Sequence, residues 1–318
     1  MWKNVLWVNC ALALIAGASA AAENFTYGHV FLADGAWRNG DVIELDRDLN
    51  PVRNLGDTLP SGHGMAATHM RFGPDGNLYV LGELDDGNGW RHGVLEFSNS
   101  GYEQFYAVDQ PPTGGFWGFA VLPNGNWVVS LEDSPTLREY SRDFTESWGF
   151  TGMPGVAESL FVQGGKVYGA GNHTVEVYDI ATRTYSGILT TSEDNDNLVV
   201  SAESIVAVNY QWPQPDSIEY IELVDADDGN LSAVATMPDE DLMPDAGLAF
   251  GPDGKLYVAA RVDGGNPQLV VYSAFMDYEQ TVGVAGWEEA ADVAVYIPEP
   301  LTLAMLGLGG LALLRRRR

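Results

Sequence analysis

The stretch Met70-Arg71-Phe72-Gly73-Pro74-Asp75-Gly76-Asn77-Leu78-Tyr79-Val80 decides the fold, because it returns as Leu248-Ala249-Phe250-Gly251-Pro252-Asp253-Gly254-Lys255-Leu256-Tyr257-Val258. Each copy reads as strand, tight turn, strand. Proline sets φ at the first turn position, and Asp-Gly tolerates the positive φ that follows. The flanking Phe, Leu, Tyr and Val suit a pleated, half-buried surface. A looser copy runs from Phe119 to Val129 around Pro123-Asn124-Gly125. Worn copies run from Ser159 to Tyr168 and from Asn197 to Val208.

The turn glycines fall at Gly76, Gly125, Gly165 and Gly254, with Ala202 in the degenerate copy. Repeats of about 40 to 50 residues, each with four strands, are the mark of a β-propeller. Third strands follow the hairpins at Gly93–Phe97, Thr174–Tyr178 and Gln268–Tyr272. Before the first hairpin, Gly28–Ala33 and Asp41–Leu45 read as strands that lack an inner partner. After the last, Ala291–Tyr296 begins like a new repeat and stops. Pairing these two ends would close the ring and remove a sheet edge. The expectation is an all-β, six-bladed β-propeller over residues 23–296, closed by pairing of its N- and C-terminal strands. The clear repeats, Phe72 to Val80 and Phe250 to Val258, resemble those of NHL and gluconolactonase-like propellers. That motif specifies a turn and a fold, not a chemistry.

Both ends of the chain read differently. Residues 1–22 hold Lys3, an apolar run from Val5 to Ala16 broken only by Asn9, and Ala18-Ser19-Ala20. This is the pattern of a secretory signal peptide, cut near Ala20 or Ala22. Residues 297–318 hold Pro298-Glu299-Pro300, an uncharged segment from Leu301 to Leu314, and Arg315, Arg316, Arg317 and Arg318. The apolar segment is somewhat shorter than the ~20 residues that span a bilayer. The arginines would stop transfer and stay on the cytoplasmic side. In order and position these parts resemble the PEP-CTERM sorting signal of exported bacterial proteins. The resemblance implies a transmembrane sorting helix, an exosortase as processing partner, and cleavage near Pro298-Glu299-Pro300. It further implies transient anchoring in the inner membrane and then residence in the cell envelope or extracellular matrix of a biofilm-forming cell.

The 318 residues carry 44 acidic and 16 basic side chains, a net charge of −28. Lys3 and Arg315–Arg318 lie in the two removable ends, so the propeller itself is more acidic still. Such a body repels nucleic acid and anionic lipid, which are bound through positive charge. Cys10, the single cysteine, falls within the signal segment, so the exported body has neither a disulfide nor a thiolate.

In a propeller the starts of the inner strands face the axial channel. There the sequence places His63, His69, Trp117, Glu158, Asn197, Asp245 and Asp292. Glu158, Asn197, Asp245 and Asp292 are the candidate ligands for Ca²⁺ or another divalent cation, since hard cations take oxygen donors. Resemblance to the lactonases would add a metal-dependent hydrolase, with an acidic residue on the first inner strand; His63 or His69 stands there instead. The acidic turns Asp85–Gly89 and Asp225–Asn230 lack the spacing of a calcium loop and read as ordinary Asp/Asn/Gly turns. Trp37, Trp90, Trp117, Trp148, Trp212 and Trp287 recur about once per blade or loop, either packing blades or stacking on sugars. The functional expectation is a monomeric, non-enzymatic surface or matrix protein that binds exopolysaccharide, protein or cations on its loop face. The alternative is a secreted lactonase-type enzyme.

Overall fold

In the computed structural model, the described residues are 25–298, apart from 37–39, 109–115, 132–133, 151–158, 172–173, 192–194, 202–203, 210–219, 226–229, 240, 244–246 and 263–265. Every described element except one short 3-10 turn, Gly56–Thr58, is a strand. In chain order they are β1 (Val30–Asp34), β2 (Val42–Leu45) and β3 (Pro51–Asn54); then β4 (Gly64–Phe72), β5 (Leu78–Asp85), β6 (Trp90–Ser98) and β7 (Gly101–Ala107). β8 (Phe116–Val121), β9 (Trp127–Leu131), β10 (Ser134–Tyr140) and β11 (Ser147–Gly149) follow, then β12 (Ser159–Gln163), β13 (Lys166–Gly171), β14 (Thr174–Asp179) and β15 (Thr184–Thr190). Next come β16 (Asn195–Val200), β17 (Ser204–Asn209), β18 (Tyr220–Asp225) and β19 (Leu231–Thr236). The chain continues with β20 (Leu242–Met243), β21 (Leu248–Phe250), β22 (Leu256–Val262), β23 (Gln268–Tyr272), β24 (Tyr278–Gly283) and β25 (Ala290–Val295).

These strands form six antiparallel sheets. Five are each made by one continuous stretch of chain. The remaining sheet joins the two ends in the order β25-β1-β2-β3, with Val30 opposite Val295 and Leu32 opposite Val293. The first strands stand side by side around an axis: β25 beside β4, then β8, β12, β16, β21 and back to β25. The fold is an all-β propeller. The hairpin turns supply the positive φ that the repeats demanded, at Gly76, Gly125, Gly165 and Gly254.

Period-two alternation explains the core. Along β5, Leu78 and Val80 pack toward the β1–β3 sheet, whereas Tyr79 and Leu81 pack toward the β8–β11 sheet. The same division recurs between other neighbouring sheets, so the core is a ring of inter-sheet layers. Trp127 and Trp287 are among the largest fully buried side chains, and Trp287 donates its Nε1–H to Ala33 O at 3.0 Å. Trp287 is therefore a packing residue and is withdrawn from the sugar-stacking candidates.

A buried glutamate interrupts the apolar alternation of the third strand in five of the sheets: Glu44, Glu96, Glu139, Glu176 and Glu222. Two of them are gripped by an arginine from the following sheet. Arg142, in the turn between β10 and β11, reaches Glu96 at 2.8 Å. Arg183, between β14 and β15, reaches Glu139 at 2.7 Å. Glu44 is met by Arg53 of its own sheet at 2.6 Å, and that guanidinium also donates to Asn99 O at 2.5 Å in the equivalent turn of the next sheet. Burial pushes the Glu139 carboxyl up, but hydrogen bonds from Arg183, Asn126 and Asn124 together hold it below the ordinary range.

Candidate functional site

The sequence pointed to the axial channel, and two of its four candidate ligands, Asn197 and Asp292, fall among the described residues. Glu158 and Asp245 lie outside them, as do residues 1–22, Glu299, Pro300 and Arg315–Arg318. Both Asn197 and Asp292 are buried on inner strands. Asp292 is already committed to protein donors. Its Oδ2 accepts from Met70 N and from Arg71 Nη1, both at 2.7 Å, and its Oδ1 accepts from Val293 N at 2.8 Å.

Arg71 extends this contact across the axis. Besides Asp292 on β25, it donates to Met70 O on its own strand at 2.7 Å, and on β12 to Leu160 O at 3.2 Å and Ser159 Oγ at 3.3 Å. One guanidinium thus ties three inner strands together. Sequence reasoning missed this residue, because Arg71 occupies the place that Ala249 holds in the other clear copy. That mismatch was the available signal.

His69 stands beside the pair, with Nδ1 3.9 Å from Asp292 Oδ2 and without a hydrogen-bond partner. Burial pushes the imidazole below its ordinary range. Asp292 opposes that shift, while Arg71 adds to it. The axial cluster is therefore an assembled ion pair with a neutral histidine next to it. Among the described residues no group of three or more His, Cys, Asp or Glu side chains converges as a metal site.

A second site lies at the end of the sheet where the β4 and β6 strands begin. β5 and β6 run 8 and 9 residues, whereas the adjacent β9 runs 5. Asp85 and Trp90 form the last pair of this ladder before the hairpin turn. Register places Glu83 opposite His92 and Asp85 opposite Trp90. Alternation puts all four on the face that carries Leu81 and Val94 further down, toward β8 and β9. Here a cleft of about 470 Å³ is lined by Gly62, His63, Gly64, Asp85 and Trp90. Glu83 Oε1 meets His92 Nε2 at 3.1 Å, while Glu83 Oε2 and His63 Nδ1 have no partner.

Backbone needs shape the hairpin tip. Asp85 Oδ1 accepts from Gly87 N at 2.9 Å and from Gly89 N at 3.3 Å, and both glycines have positive φ. Asp86 pairs with Arg91 at 2.5 Å. The acidic run Asp85–Gly89 is thus a turn device, as its Asp/Asn/Gly composition predicts.

No protein-family model matches the chain, and no curated protein does. Solved structures do. TolB from Acinetobacter baumannii is similar over 89% of this chain and 70% of its own, with 14% identity and a TM-score of 0.62. A protein of unknown function from Bacteroides caccae is similar over 85% and 98%, with 12% identity and a TM-score of 0.56. A functionally unknown protein from Desulfotomaculum acetoxidans covers 86% and 91%, at 14% identity and a TM-score of 0.54. The likeness is one of fold. At these identities it assigns no activity, and the site must be judged on its own residues. Among the described residues no helix is long and apolar enough to cross a membrane.

Proposed function

We propose that this chain is an exported propeller whose work is binding on its loop face rather than turnover in its channel. Five blades of continuous chain and one blade joined from both ends make it six-bladed. What supports binding is the state of Asp292: both of its oxygens hold protein donors, so this carboxylate is a strut between inner strands and not a base or ligand in waiting. The loop face, by contrast, offers a cleft of about 470 Å³ lined by His63, Asp85 and Trp90.

Export and sorting rest on the two ends of the sequence. Residues 1–22 would route the chain out of the cytoplasm. Pro298-Glu299-Pro300, the apolar segment and Arg315–Arg318 would hold it in the inner membrane until an exosortase cuts near Pro300. The released acidic body would then sit in the envelope or matrix as a monomer, in contact with exopolysaccharide or surface proteins. Ca²⁺ or another divalent cation is the ligand that the oxygen donors of Glu158, Asn197 and Asp245 would suit.

Mass spectrometry of the protein recovered from cells tests the sorting. The expected mass lacks both residues 1–22 and Arg315–Arg318; a mass that retains those arginines overturns it. Incubation with lactones, with and without a chelator, tests the choice of binding over catalysis. No turnover is expected, and chelator-sensitive turnover would overturn that choice.

A further inference from the structure

The Pro-Asp-Gly turns and the turns between third and fourth strands share one end of the propeller, opposite the His63 cleft. Antiparallel order requires this, since each strand returns toward the end that its predecessor left. β25 finishes and β1 begins at the same end, where Gly28 N donates to Tyr296 O at 2.9 Å. The chain therefore leaves the ring there, at Ile297.

Exposed apolar side chains gather around that exit. Phe275 is 88% exposed, and Tyr27, Tyr278 and Ile297 are exposed as well. The Pro252 turn joins them into one surface across two sheets. A methyl on Gly28, beside Tyr27, would lie 3.3 Å from Pro252 Cγ; one on Gly254 would lie 3.1 Å from Ala274 Cβ, beside Phe275. The turn itself does not demand a phenyl ring at 275. Asp46–Leu49, Ser141–Phe144 and Ser273–Met276 close with the same backbone hydrogen bond and the same positive φ at the fourth residue. Their third residues are Asp48, Asp143 and Phe275. Aspartate suits this turn, so the ring answers to something outside it. Single apolar side chains on a surface are ordinary, but a cluster marks a contact.

The length of chain beyond Ile297 names that contact. Only Pro298, Glu299 and Pro300 separate it from the uncharged segment Leu301–Leu314. Such a linker spans at most about 14 Å between the Cα atoms of Ile297 and Leu301. The anchoring proposed above puts Leu301–Leu314 in the bilayer, and the present inference rests on that reading. The headgroup layer on each side of the hydrocarbon is roughly 5–8 Å deep. A body on so short a tether meets the headgroups with the end that carries Ile297. Tyrosine rings at that end suit a membrane interface. Leu301–Leu314 is also short for a bilayer, and a body drawn into the interface eases the mismatch. Asp46, Asp48, Asp253, Asp277 and Glu279 share this end with Arg47 and Lys255. Neutral, zwitterionic headgroups therefore suit it better than anionic ones.

We propose that, before cleavage, the end of the propeller formed by Tyr27, Phe275, Tyr278 and Ile297 lies on a zwitterionic lipid surface, with Phe275 at the headgroup–acyl boundary and the His63 cleft facing away.

The test uses the full chain carrying Cys10→Ser, so that an added cysteine is the sole thiol. It is reconstituted in phosphatidylcholine vesicles whose lipids bear a spin label just below the headgroup. A fluorophore on Ala274→Cys should lose about half of its emission, because an interfacial apolar face sinks roughly 5–10 Å into the boundary. A fluorophore on Asn88→Cys, in the β5–β6 turn at the other end, should lose none. Adding Phe275→Ser to Ala274→Cys should cut the quenching about twofold. Phe275 is exposed, so removing the ring leaves the core intact. Equal quenching at both positions, none at either, or quenching indifferent to Phe275→Ser overturns the docking. A label at Ala274 that is shielded from aqueous iodide yet unquenched by lipid means that a second copy of the chain covers this face, which also overturns it. In each case the anchoring stands if the protein still floats with the vesicles after a carbonate wash. Protein that washes off overturns the anchoring and the docking together.

Discussion

Arg142 of one sheet closes on Glu96 of the sheet before it at 2.8 Å, and its guanidinium also lies over the rings of Tyr79, Tyr106 and Trp127. Glu96 accepts further hydrogen bonds from Asn77, Tyr79 and Tyr106. Burial, followed by the bond to Glu96, pushes the Tyr106 phenol well above its ordinary range, so it stays a donor. A charge buried this deeply is tolerable only while its partners stay. Arg142→Ala should therefore cost about 2 kcal/mol, less than a fully buried pair because Arg142 is partly solvated. The check is the urea midpoint at unchanged slope. In the double variant with Glu96→Gln the two losses should fall short of their sum, because one interaction is being removed twice.

The axial tie makes a sharper case. Arg71 and Asp292 expose only 11% and 1% of their side chains, so solvent screens them little. Arg71→Leu would leave the Asp292 carboxylate without its countercharge among inner strands and should cost about 3–5 kcal/mol. Adding Asp292→Asn should recover a large part of that loss, since a neutral amide no longer needs the guanidinium. Thermal denaturation of the three proteins measures this. Equal stability of the single and double variants would mean that Arg71 acts through packing alone.

His69 gives the axis a pH dependence. Burial holds the imidazole below its ordinary value of 6.5, so the unfolded chain takes up this proton more readily than the folded one. The neutral form's contribution is complete above pH 6.5 and is lost as pH falls from there toward the folded value. Asp292 and Arg71 face the ring with opposite signs, and the Trp117 backbone accepts from it. His69→Gln should flatten stability against pH over that window while leaving the carboxylate-driven loss at lower pH. Denaturant midpoints taken at half-unit pH steps would show the difference.

Much of this architecture was legible because propeller turns favour the few residues that preset or tolerate the turn's φ values. Pro-Asp-Gly at 74–76 and 252–254 fixed where the hairpins lie, and the orphan strands Gly28–Ala33 and Ala291–Tyr296 announced the pairing of the ends. The sites were less legible, for a physical reason. Glu96 and Glu139 sit in ordinary strand sequence, and their partners Arg142 and Arg183 come from the next repeat, so no local pattern joins them. Asp292 read as a free channel carboxylate because Arg71 is 221 residues away in sequence. Trp90 was visible as one tryptophan among several, with nothing in the sequence to join it to His63 and Asp85 at one cleft.

Close backbone approach within the sheet predicts a pair of contrasting glycine substitutions. A Cβ on Gly82 would lie 2.0 Å from Ala66 O, a backbone atom of the paired strand β4 that cannot swing aside. Gly149 has no atom within 4 Å of its Cβ position. Gly82→Ala should therefore disrupt the β4–β5 pairing and cost several times more than ~1 kcal/mol, whereas Gly149→Ala should stay within about 0.5 kcal/mol of the parent. Comparable losses at the two sites would mean that β4 can shift to accept the methyl group.

Closure of the ring can be tested by shortening the chain. β25 supplies the inner strand of a sheet whose other three strands come from the opposite end, and Val293 and Ala294 pack into two different inter-sheet layers. A chain ending at Glu289 would lose those side chains, expose the β1 edge and strip Arg71 of Asp292. A chain ending at Pro298 keeps the whole strand. The longer protein should unfold in one cooperative urea transition within about 0.5 kcal/mol of the parent. The shorter one should show no such transition and should aggregate. Because β25 adds no covalent link around the ring, mixing the shorter chain with a synthetic peptide of residues 287–298 should restore part of the cooperative signal. Recovery absent at millimolar peptide, with the longer chain intact, would mean that the strand has to be present while the ring is forming.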